Sequence, residues 1–74
     1  MTHDLIAIDP KVMFGKPVIR GTRLTVEQIL RELSGGMTPK EMMDAHPRLA
    51  EDAIRAAIAY AADIIANEDI QLNP

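Results

Sequence analysis

At Thr25 the apolar pattern of this 74-residue chain changes period. Upstream, Leu5-Ile6-Ala7-Ile8 is a short apolar run that Asp9-Pro10 stops, and Val18-Ile19 is a second that Gly21 breaks. β-branched residues behind a proline-fixed φ favour extended backbone. Residues 1–24 are expected to form a short β or extended basic arm, hairpin-like between turns near Gly15 and Gly21. Downstream, Val26, Ile29, Leu30 and Leu33 recur at i, i+3, i+4 and i+7, one face of a helix. The whole chain reads as one mainly α domain. Three helices occupy residues 25–67, and a frayed polar tail follows over 68–74.

Local signals bound each helix. Thr25 and Gln28 have the spacing of a capping box, and Gly35-Gly36 closes the first helix. For the second, Thr38 is the N-cap, Pro39 stands at N1 and Glu41 at N3. Met37 and Met42 have the spacing of a hydrophobic staple, and Pro47 stops the helix near His46. The third runs from about Ala50 to Ala66. Its apolar side chains form two rows, Ile54-Ile58-Ala61-Ile65 and Ala53-Ala57-Tyr60-Ile64. Two short helices cannot cover that width, so part of it is expected to meet a second copy. The expected dimer interface is Ile54, Ala57, Ile58, Ala61 and Ile65.

Size points the same way. A domain this short buries only about 60% of its unfolded surface. It has no cysteine for a disulfide or a zinc cluster, which leaves oligomerisation as the usual support. A homodimer is expected. Absence of cysteine is compatible with a reducing cytoplasm. Met-Thr-His-Asp followed by a four-residue apolar run reads as neither signal peptide nor membrane span. A cytoplasmic location without membrane contact is expected.

Catalytic patterns fail one by one. Gly15-Lys16 resembles part of a phosphate loop, but Pro17 stands where Ser or Thr is needed and Pro10 where the first Gly belongs. His3 and His46 have no acid at ligand spacing and read as surface residues, and Ser34 is the only serine. Met13, Met37, Met42 and Met43 read as core filling. No enzyme activity, cofactor or metal is expected.

Charge is distributed unevenly. The net charge is −3, yet residues 11–23 hold Lys11, Lys16, Arg20 and Arg23 and no acid, while residues 24–74 carry four basic and nine acidic side chains. Arg20 and Arg23 flank a Gly-Thr turn and offer planar forks suited to phosphate or guanine edges. The candidate contact residues are Lys11, Lys16, Arg20, Thr22 and Arg23, with Arg48 and Arg55 near the start of the third helix. Spacing alone leaves two uses open for these charges. One is nucleic-acid contact; the other is pairing with Asp9, Glu27 or the acidic helices.

Ile8-Asp9-Pro10, the string Gly15-Lys16-Pro17-Val18-Ile19-Arg20-Gly21-Thr22-Arg23-Leu24, Gly36-Met37-Thr38-Pro39 and His46-Pro47-Arg48-Leu49 resemble the domain-of-unknown-function 433 family. The resemblance covers about residues 5–65. It implies a homeodomain-like helix-turn-helix domain of the VapB antitoxin type. Such a protein would bind a PIN-like ribonuclease toxin and, as a dimer, operator DNA. Ala50 and Ala53 depart from the family's Thr and acid, which removes a capping box from the third helix. That helix opens with Glu51-Asp52, too acidic to meet phosphates alone. The basic arm is therefore the expected contact for operator DNA, the toxin, or both. The alternative is a protein–protein interaction module that binds no DNA.

Overall fold

The computed structural model describes residues 3–67, so the tail expected over 68–74 lies outside it. Strand β1 (Ile6–Ala7) pairs antiparallel with β2 (Val18–Ile19), Ile6 facing Ile19 and Ala7 facing Val18. The arm thus pairs within its own chain. Three helices follow: α1 (Val26–Ser34), α2 (Pro39–Ala45) and α3 (Glu51–Asn67). The protein is mainly helical, with a small N-terminal sheet.

The caps place these elements. Thr25 is extended, and its hydroxyl accepts from the Gln28 N–H. Only half of the expected capping box forms there, because the Gln28 amide turns forward to Glu32 at 3.0 Å. The box at α2 is complete: Thr38 accepts from the Glu41 N–H, and the Glu41 carboxylate accepts from the Thr38 N–H. At the end of α1, the Met37 N–H donates to the Glu32 carbonyl and the Gly36 N–H to the Leu33 carbonyl, a Schellman closure. That closure needs a left-handed residue, and Gly36 supplies it with φ 99°. α2 stops at Ala45, as Pro47 requires.

One core unites the pieces. Ile6 and Ile19 of the sheet meet Val26 and Ile29 of α1, Met42 of α2, Leu49, and Ala53, Ile54 and Ala57 of α3. Ile29, Met42 and Ala57 are fully enclosed. Small residues at 53 and 57 let α1 approach α3 closely. Of the five residues expected to hold a dimer, Ile54 and Ala57 are therefore spent on the chain's own core. Ile58 and Ile65 stay exposed, and Ala61 is half-buried. No helix among the described residues is long and apolar enough to cross a membrane.

The loop between the strands holds an unusual turn. Met13, Phe14 and Gly15 have φ of 48°, 60° and 81°, three consecutive left-handed residues. That geometry is ordinary for Gly15 and costly for Met13 and Phe14. Phe14 is 95% exposed at the tip.

Candidate functional site

The arm's basic residues do not act alike. Arg20 is exposed, yet its Nε donates to the Asp4 carbonyl at 2.7 Å and a terminal nitrogen donates to the Ile6 carbonyl at 3.2 Å. Its guanidinium clamps β1 against β2. The Thr22 hydroxyl donates to the Ile19 carbonyl and accepts from the Leu24 N–H, so it closes the turn that Gly21 opens with φ 81°. Both residues position their neighbours.

Lys16 and Arg55 are committed to local pairs. Lys16 Nζ lies 3.2 Å from Glu27, which also receives Arg31 at 3.1 Å. The hydrogen bond from Lys16, then that from Arg31, holds the Glu27 carboxyl below the usual carboxylate range. Arg55 stands 4.0 Å from Glu51 one turn away. Lys11 is exposed on the loop, where its N–H donates to the Asp9 carboxylate.

Arg23 and Arg48 remain. They are exposed, and among the described residues neither forms a salt bridge. Both line a concavity of about 530 Å³, together with Arg20, Gly21, Thr22 and the Asp9 carboxylate at its edge. The short α2–α3 connection carries Arg48 there from the helical half of the chain. Of the seven expected contact residues, four (Arg20, Thr22, Arg23 and Arg48) converge, and Lys11, Lys16 and Arg55 stand apart.

Both histidines are tied to carboxylates, which sequence spacing concealed. His3 Nε2 lies 2.8 Å from Asp63 while its ring packs edge-on to Tyr60 at 5.2 Å. His46 Nε2 lies 3.0 Å from Glu32. The Gln28 amide and then His46 hold the Glu32 carboxyl low. These pairs join elements 60 and 14 residues apart. Among the described residues no group of three or more His, Asp or Glu side chains is placed to hold a metal ion.

Comparison with known proteins bears on the same span. Residues 6–61 match the family model described as protein of unknown function (DUF433). The chain is 33% identical over 59 residues to the uncharacterized protein y4eO of Sinorhizobium fredii (strain NBRC 101917 / NGR234), covering 80% of this chain and 27% of that protein. It is also similar to the crystal structure of a DUF433 member from Anabaena variabilis ATCC 29413, with a TM-score of 0.79 and 29% identity. That match covers 84% of this chain and 61% of the solved one. The chain thus spans about a quarter of the curated relative and under two thirds of the solved chain.

Proposed function

Since the chain belongs to the DUF433 family, whose members are grouped without an assigned activity, we propose its role from its own surface: an antitoxin-like regulatory protein that grips an anionic partner at the Arg23–Arg48 face. The observation that carries this reading is that two arginines, 25 positions apart, share one concavity and neither is spent on an ion pair within the chain. A guanidinium presents donors in a fixed fork that matches a carboxylate or a phosphate. Two forks on one concave wall suit two such groups. Arg20 and Thr22 hold that wall in place.

Operator DNA and the acidic metal site of a PIN-like nuclease both offer such groups. In the DNA case a homeodomain-like helix-turn-helix reading of α2 and α3 would place Arg48 near the groove. The N-terminal turn of α3 supports a second reading, a protein-only module. Glu51 and Asp52 are exposed there, beside Arg48, and would oppose a run of phosphates.

Salt dependence separates the two. Binding of a labelled duplex from the chain's own upstream region is followed by anisotropy as salt rises. For DNA, log K falls with log salt at a slope of about −0.9 per phosphate neutralised. Arg23→Ala with Arg48→Ala should remove about two such contacts. Absence of binding at low salt excludes DNA and leaves the protein partner. Co-purification with a nuclease encoded beside this chain, lost in the same double variant, would support that partner. Unchanged binding of both partners by the double variant would sink the proposal.

A further inference from the structure

A second surface lies away from the arginines. Between α1 and α3 runs an apolar groove of about 550 Å³, lined chiefly by Val26, Leu30, Tyr60, Ala61, Ile64 and Ile65. α3 has 17 residues and α1 only nine, so the last turns of α3 run beyond their neighbour. Ile64 and Ile65 are left 39% and 59% exposed there. Beside the groove stands Phe14, on its left-handed turn. Lys16 and Pro17, two and three residues further on, form the groove's wall, and Met13 lines the adjoining hollow with Lys16, Glu27 and Arg31. One face thus carries both a protruding aromatic ring and an apolar slot.

We infer that this face is a two-fold contact between copies of the chain, in which Phe14 of each copy enters the α1–α3 groove of the other. Three arguments select a second copy as the occupant. First, a two-fold interface requires knob and slot on the same patch, and adjacency meets that requirement. Second, charges complement each other. Phe14 lies between Lys11 and Lys16, in a stretch without acids from residue 10 to 26. The far end of the groove is the C-terminal end of α3, where unsatisfied carbonyls carry partial negative charge and the last turn has no basic residue. Lys11, which forms no salt bridge among the described residues, travels with Phe14 toward that end. Third, the area suits a weak dimer. Two phenylalanine rings bury about 150–250 Å² each. The groove walls they cover contribute a similar amount, which brings the contact near the lower bound of specific interfaces, about 1,200 Å².

The turn itself fits the same role. A residue held at positive φ with its apolar side chain in water is costly twice over, and both costs persist in the isolated chain. Burial in a second copy recovers the solvation part.

Sedimentation velocity from about 5 to 300 µM tests this inference, because a contact of this size implies micromolar affinity. The expected result is a reversible shift from 8.2 kDa toward twice that mass. Phe14→Ser removes the knob and Ala61→Arg fills the slot; each alone should stay monomeric while keeping the helical circular-dichroism signal. Mixed, the two variants retain one intact knob-and-slot pair, so a heterodimer should form. It should be weaker than the wild-type dimer and stronger than either variant alone. A monomer throughout for the wild-type chain overturns the inference. So does a dimer indifferent to Phe14→Ser, or a mixture in which no heterodimer appears.

Discussion

His46 Nε2 sits 3.0 Å from Oε1 of Glu32, joining the cap of α2 to the last turns of α1. Glu32 also accepts from the Gln28 amide, and its pKa lies below the model value of 4.5 because the carboxylate form receives both. Glu27 and Glu41 are lowered too, by Lys16 and Arg31 and by the Thr38 N–H respectively. A carboxyl whose folded pKa is depressed adds stability above its unfolded pKa and loses it as pH falls through the folded value. Unfolding midpoints should therefore drop from about pH 5 downward, and Glu32→Gln should flatten that drop. Thermal melts between neutral and acid pH check this; an unchanged profile in Glu32→Gln would contradict it.

Arg20 is predicted to serve stability more than recognition. Its two bonds to the Asp4 and Ile6 carbonyls hold a strand of only two residues. Arg20→Lys keeps the charge and loses the fork. It should cost about 1 kcal/mol, a fall in Tm of roughly 4–8 °C for a domain this size. Arg23→Ala and Arg48→Ala, without internal ion pairs, should leave Tm within about 2 °C. Equal losses in all three variants would refute the division of labour.

Met42 is fully enclosed where α2 meets the core. Met42→Ala removes packing that no neighbour replaces and should cost about 2–5 kcal/mol. Domains carry roughly 0.05–0.15 kcal/mol of stability per residue, so this one substitution should leave much of a chain of this length unfolded near 37 °C. Urea titration followed by circular dichroism measures it.

Phe14→Asn is expected to raise the stability of the isolated chain. Asparagine tolerates the left-handed region far better than phenylalanine, and the 95% exposed ring loses no packing. A gain of about 1 kcal/mol, seen as a higher Tm at low micromolar concentration, is the predicted outcome. No gain would show the turn to be unstrained.

The two caps should differ. Glu41→Ala opens a complete capping box at α2, whereas Gln28→Ala touches only a surface pair on α1. The first should cost about 1 kcal/mol and the second a few tenths. Parallel melts of the two variants decide it.

Helix boundaries were legible because their signals are local. Thr38, Pro39, Glu41 and Pro47 act on backbone within four residues, and the end of α1 follows from Gly35-Gly36. What was illegible joins distant positions or breaks a propensity. A two-residue strand leaves almost no periodicity, so the register Ile6 to Ile19 had no sequence signal. The His3–Asp63 and His46–Glu32 pairs depend on how helices pack. The left-handed conformations of Met13 and Phe14 oppose what those residues prefer, although Gly15 beside them marks a turn. Within the candidate site, the charge anomaly of residues 11–23 led to the correct stretch. Arg20 looked like a contact residue because a sequence displays charge and hides the carbonyls that a guanidinium is already serving.

The two rungs between β1 and β2 have a further consequence for order of motion. Helical amides around Ile29 and Met42 exchange with solvent only when the core opens, but Ile6 and Arg20 are protected by a pairing that a local fluctuation can undo. Deuterium should enter the arm first. Each such opening releases the Arg20 guanidinium from Asp4 and Ile6, beside Arg23 and Arg48. The strand is in this sense a dimmer on the basic face: its opening equilibrium sets how often a third fork is offered.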